Sequence, residues 1–149
     1  MRITELESYF QDETTLLKLI EEYQPLFDTI EEYETKLRNQ AVDSPHEIEL
    51  AMRVMVALYS KLNVVARVAD VQETTQKVVA YNKNRLASAR TGTSITATEL
   101  QNLSAQQTSH YRRIKAIFEA YTDSCEKIIS VLQSCLKSYD REKGYQQRA

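Results

Sequence analysis

The sequence predicts an all-α protein, and three observations carry that prediction. Its 149 residues include only 2 Gly and 2 Pro, so few turns are encoded, and 42% are hydrophobic, amid many Gln, Leu, Glu, Ala and Lys, the composition of long helices. Apolar residues recur at alternating steps of three and four over most of the length. Thr4 with Glu7, Ser44 with Glu47 and Thr96 with Glu99 each match the capping-box pattern of a helix start. The expected architecture is a long antiparallel helical hairpin, about residues 45–90 and 97–142, with shorter N-terminal helices, in an oligomeric helical bundle. A single domain is expected over 1–149, made of an acidic helical segment at 1–42 and the hairpin at 44–142.

Thr4 opens a short helix whose apolar face is Leu6, Tyr9 and Phe10. A second helix begins at Asp12 or Thr14, and its seam runs Leu16, Leu19, Tyr23, Leu26, Ile30, Tyr33 and Leu37. Pro25 interrupts this seam without shifting its register, so a kink near Tyr23 and Gln24 is expected rather than a break. Asn39 to Asp43 forms a polar link. Ser44 then caps a third helix with Pro45 at its first position, and no breaker follows until Gly92. Inward candidates there are Ile48, Met52, Met55, Tyr59, Leu62, Val65, Ala69, Gln72, Gln76, Val79 and Leu86. Gly92 suits the C-terminal cap because glycine accepts positive φ. The last helix starts at Thr96 and shows Leu100, Leu103, Gln107, His110, Ile114, Ile117, Tyr121, Cys125, Ile128, Leu132, Cys135 and Tyr139, with Gly144 marking its end. Two arms of equal length on a short link pack antiparallel if they pack on each other. Phe118, Ile129, Val131, Leu136, Val64, Val68 and Val71 widen the apolar surface beyond a two-helix seam, which points to an oligomer.

Several classes are disfavoured. No apolar run approaches the roughly 18 to 20 residues that span a bilayer, and MRITELESYFQDE has no signal-peptide pattern, so no membrane partner is expected. Cys125 and Cys135 lie about 15 Å apart along one helix, too far to pair, and read as reduced thiols of a cytoplasmic protein, in host cytoplasm if the chain is viral. His46 and His110 are isolated, and HExxH, CxxC and glycine-rich phosphate loops are lacking. Glu21, Glu22, Glu31, Glu32 and Glu34 have no Glu-x-x-His partner to hold a metal pair. No enzyme activity, cofactor or metal is expected.

The net charge of -2 conceals an asymmetry. Residues 1–50 hold 13 acids and 4 bases, residues 51–100 hold 3 acids and 7 bases, and residues 101–149 hold 5 acids and 8 bases. An acidic third on a basic body suits either charge pairing between subunits or a shield over a polyanion-binding surface. Lys77, Lys83, Arg85 and Arg90 cluster at the end of the third helix, where cations also complement the helix dipole. Arg112, Arg113 and Lys115 form a second cluster beyond the turn, and pairing the arms about Gly92 to Ser94 sets them level with Val71 to Lys77. Tyr81 and Tyr111 supply aromatic faces beside them. Cations interleaved with aromatics suit a single strand, whose phosphates meet the charge and whose unstacked bases meet the rings.

The runs DSPHEIELAMRVMVALYSKLN, QKVVAYNKNRL and FEAYTDSCEKIISVLQSCLK resemble the UvsY-type recombination mediators of tailed phages, over roughly residues 43–140. The resemblance implies a small, ring-forming helical protein that binds single-stranded DNA and helps load a recombinase onto strands coated with single-strand-binding protein. It also implies that Lys83, Arg85 and Leu86, in the place of the family's Lys-x-Arg-Leu step, contribute to DNA binding. The chain departs from that family in its acidic N-terminal segment and in Ala87-Ser88, where an aromatic pair is expected. The DSP helix start also resembles the oligomerisation hairpin of phage small terminase subunits. Two other functions are therefore carried beside the first: a phage packaging, neck or scaffold component, and an inhibitor whose acidic N-terminal third mimics DNA.

Overall fold

The computed structural model describes residues 2–147. Among them are five helices and no strand: α1 (Ile3–Ser8), α2 (Glu13–Arg38), α3 (Pro45–Thr91), α4 (Ala97–Gln107) and α5 (Ser109–Gln146). The all-helical class is as the composition implies.

Local chemistry explains most of the boundaries. α1 is capped two residues earlier than expected: Arg2, not Thr4, is the N-cap, and the Glu5 carboxylate accepts from its backbone N–H at 2.8 Å. α2 starts at a reciprocal cap in which Asp12 Oδ1 accepts from Thr15 N–H and Thr15 Oγ1 accepts from Asp12 N–H. Pro25 lies inside α2, which continues through it. At its C-terminal end Gln40 takes φ 53°, and Ala41 N–H donates back to Lys36 O at 2.8 Å. Ser44 Oγ accepts from Glu47 N–H at 3.2 Å, as a cap before Pro45 should. Gly92 (φ 68°) ends α3, and Thr93 N–H donates across it to Ser88 O. The Thr96–Glu99 capping box forms in both directions, and the Thr96 hydrogen bonds hold the Glu99 carboxyl below its ordinary pKa.

The expected last helix, 97–142, differs in two respects. It is interrupted at Thr108 (φ -106°, ψ 15°), and it runs on past Gly144 to Gln146. Neither Gly nor Pro marks the interruption. Ser104 Oγ donates to Leu100 O at 2.7 Å and Thr108 Oγ1 donates to Ser104 O at 2.8 Å. Hydroxyls that back-bond in succession compete with the helical ladder.

The chain divides into two compact units, Met1–Glu21 with Val64–Phe118, and Glu22–Asn63 with Glu119–Ala149. The division does not follow the expected boundary between an acidic segment at 1–42 and a hairpin at 44–142, because α2, α3 and α5 each supply residues to both units.

The first unit is built around Leu6, Phe10, Leu16, Leu19, Val65, Ala69, Leu100, Tyr111, Ile114 and Phe118, all buried. Burying a large apolar side chain contributes about 1.5–3 kcal/mol relative to exposing it, which makes Leu16, Leu19 and Phe118 principal sources of its stability. Tyr111 OH donates to Phe10 O at 3.1 Å, tying α5 to the end of α1. Asn84 Nδ2 donates to Ser104 Oγ at 3.3 Å and Gln107 Oε1 at 2.8 Å, so α3 is also bonded to α4.

The second unit buries Phe27, Ile30, Ile48, Ala51, Met55, Leu62, Cys125, Ile128 and Leu132. On α2 Phe27, rather than the expected Leu26, is buried with Ile30, and the Phe27 ring stacks on Tyr121 with centroids 4.1 Å apart. Tyr121 OH donates to Glu31 Oε1 at 2.6 Å. That bond and burial push the phenol pKa up to about 12. Burial, with Glu34 nearby, pushes the Cys125 thiol up to about 11, so Cys125 packs as a protonated apolar group.

Candidate nucleic-acid interface

All nine residues named from the sequence, Lys77, Tyr81, Lys83, Arg85, Arg90, Tyr111, Arg112, Arg113 and Lys115, fall in the first unit. Within it they have three different fates.

Lys77, Lys83, Arg85 and Arg90 are exposed on α3, and none takes part in an ion pair among the described residues. Helical geometry separates them. At 100° per residue, Lys77, Tyr81 and Arg85 (i, i+4, i+8) share one flank, while Lys83 and Arg90 (i, i+7) share another. The two cations of the Lys-x-Arg-Leu step are thus about 200° apart around the helix and cannot face one phosphate track together. Lys83 lines an open polar groove of about 450 Å³ with Asp12, Gln76, Asn84, Gln107 and His110. Leu86 is 54% exposed, and Val79, expected inside, is equally so. The inward seam of the first half of α3 does not reach them: beyond Ala69 no side chain of the helix is fully buried, and those buried in part include Gln72, Glu73, Gln76, Ala80 and Asn84.

Arg112 and Lys115 are held by acids. Lys115 Nζ lies 2.5 Å from Asp70 Oδ1 and 3.3 Å from Glu73 Oε2, and Arg112 Nε lies 3.3 Å from Glu73 Oε1. The Lys115 hydrogen bond draws the Asp70 carboxyl below its ordinary pKa, and the same contact raises that of Lys115. Asp70 and Glu73 are the only acids between Arg53 and Arg90. They are the partners of the α5 cluster. Arg113, by contrast, is exposed and in no described ion pair, and it borders a small cleft beside Leu17 and Ile20 of α2.

The aromatics also divide. Tyr111 is 5% exposed, with its hydroxyl on Phe10 O and His110 against its ring. Its face is unavailable for stacking on a base, which corrects the sequence reading: the residue sits on the inward side of α5, where Ile114 and Phe118 also point. Tyr81 is partly buried beside Lys77 and Arg85.

The residue that sequence reasoning missed is Asn84. It sits beside Lys83 and bonds α4 at two points, fixing that part of α3. The sequence offers no signal for it, because a seam through Val79 and Leu86 sets Asn84 on the opposite side of the helix. Among the described residues no group of three or more His, Cys, Asp or Glu side chains could hold a metal ion, and no helix is long and apolar enough to cross a membrane. No family model, curated protein or solved structure matches the chain.

Proposed function

We propose that this chain is a non-enzymatic, homo-oligomeric helical accessory protein that binds single-stranded DNA through exposed cations of the first unit. The observation that carries the reading is that Lys77, Lys83, Arg85 and Arg90 stay exposed and outside every described ion pair, the nearby acids of the same helix, Asp70 and Glu73, being held by Lys115 and Arg112. Arg113 joins them, while Arg112 and Lys115 are already compensated. Lys83 and Arg90 share one flank and form the core of the phosphate track. Tyr81 is the aromatic left to meet a base. The resemblance to UvsY-type mediators supplies the rest of the reading: assistance in loading a recombinase onto strands held by single-strand-binding protein.

An antiparallel hairpin of α3 with α4 and α5 is part of the proposal. In the first unit, contacts run from Asn84 to Ser104 and Gln107, then from Glu73 and Asp70 to Arg112 and Lys115, so earlier α3 residues meet later partners. That order supports it.

The test is a mobility shift with a single-stranded oligonucleotide at low and moderate salt. Wild-type chain is expected to shift it and to release it as salt rises. Lys83→Gln with Arg90→Gln is expected to reduce the salt slope by about 1.4, from roughly 0.7 per phosphate contact on a single strand. Absence of a shift at low salt, together with a defined oligomer mass, would instead favour the second reading, a phage-type assembly component. The outward valines of α3 are the observation that keeps that reading open.

A further inference from the structure

The second half of α3 carries an apolar line on its solvent side. Val64, Val71 and Val78 recur every seven residues and are 49%, 62% and 56% exposed, and Val79 and Leu86 lie beside them at 54% each. Val64 to Leu86 spans about 33 Å at 1.5 Å per residue. Arg67 and Arg85 border this strip on one side with Lys77 a step beyond, while Lys83 and Arg90 border it on the other. The acids of the stretch, Asp70 and Glu73, are taken by Lys115 and Arg112. A contiguous exposed apolar strip marks an interaction surface, and its charged borders select what binds.

Two such strips are poor partners for each other. Packing one α3 on its equivalent would set cations against cations on both borders with no acid between them, which like-charge repulsion opposes. The complementary surface is an exposed apolar residue bordered by acids. The beginning of α2 presents one: Glu13, Leu17 and Glu21 follow at i, i+4 and i+8 on one ridge, all exposed, with Leu17 56% exposed and half-buried Ile20 beside it.

We propose that the valine strip of α3 docks the Glu13–Leu17–Glu21 ridge of a second copy of this chain. The contact is heterologous, since each copy offers the strip on one side and the ridge on another, so it closes into a ring or runs on as a filament. Lys77 and Arg85, eight residues apart like Glu13 and Glu21, meet the neighbour's carboxylates, and Lys83 and Arg90 stay free on the opposite flank. The inference deepens the oligomeric part of the proposed function and does not depend on DNA binding.

Light scattering of the full chain without nucleic acid tests it. The mass is expected to rise above the 17.2 kDa monomer with concentration and to fall with salt. Val71→Glu with Val78→Glu should hold the chain at monomer mass with its helical circular dichroism unchanged, since both positions are exposed. Glu13→Lys with Glu21→Lys should also give monomers, and so should Lys77→Glu with Arg85→Glu. Mixing the last two variants should restore assembly, because each reversed strip then meets a reversed ridge. A wild-type chain that stays monomeric, a valine variant that assembles normally, or a mixture that remains monomeric would overturn the proposal. Assembly in this pattern by a chain that shifts no oligonucleotide would overturn the DNA reading and leave this contact standing.

Discussion

The cations of α3 and those of α5 look alike in the sequence and differ in the structure. Both groups are short clusters of Lys and Arg beside a tyrosine, within the same compact unit. Arg112 and Lys115 reach Glu73 and Asp70, and their tyrosine, Tyr111, is core. The α3 cations have no such neighbours, and Tyr81 keeps part of its ring in solvent. A basic cluster is therefore a statement about one helix, while the charge a ligand encounters depends on what the facing helix contributes. Asp70 and Glu73 make that difference.

The contrast is broken most directly by neutralising each group in turn. Replacing Lys83 and Arg90 by Gln should lower the salt slope of single-strand binding by about 1.4, at roughly 0.7 per lost phosphate contact. The Arg112→Gln, Lys115→Gln pair should leave that slope unchanged in the same fluorescence titration. Equal losses in both would erase the distinction drawn between the clusters.

Tyrosines sharpen it next. The Tyr121 pKa is raised above its ordinary value, mainly by its bond to Glu31, so the folded state holds that proton more tightly than the unfolded chain. Its contribution is whole below pH about 10 and is lost as pH rises toward the folded value of about 12. Denaturant midpoints followed through this window should fall in wild type and stay flatter in Tyr121→Phe. The change is at most about 3 kcal/mol, less with solvent screening. In the first unit, Tyr111→Phe should cost about 1 kcal/mol by removing the bond to Phe10 O, with single-strand affinity unaltered. Weaker DNA binding at unchanged stability would return Tyr111 to the interface.

The smallest effect is the most specific. Glu73→Gln loosens Arg112 and Lys115 together, and an ion pair of this kind is worth about 0.2–1 kcal/mol. Single-strand affinity should rise by no more than about fivefold at low salt, and the gain should vanish in Glu73→Gln combined with Arg112→Gln and Lys115→Gln.

What the sequence made legible was local. The Ser44 and Thr96 caps, Pro45, and the glycine cap at 92 fix helix ends through residues within a turn of each other, and they stand where expected. The break at Thr108 was not legible, because no Gly or Pro makes it; two back-bonded hydroxyls do. In α2, Pro25 stands at the point where the seam passes from Leu26 to Phe27: Leu16 and Phe27, like Leu19 and Ile30, are eleven residues apart, a spacing nearer the true helical period than a heptad. Site residues were legible as types and not as directions. Lys83 and Arg85 sit two apart in a motif but on opposite sides of a helix, and the acids that would quench α5 lay in a different arm of the chain.

The interruption at Thr108 also bears on how the first unit opens. α4 is an 11-residue helix with its own N-terminal box and its own end, and its hydrogen-bond ladder does not continue into α5. A helix that short has little intrinsic cooperativity, so its persistence rests on Leu100 in the core and on the amide of Asn84. Its peptide hydrogens should therefore exchange with solvent through openings that leave α5 folded. The protection of residues 97–107 becomes a local gauge of the Asn84 linkage, readable separately from the unfolding of the unit as a whole.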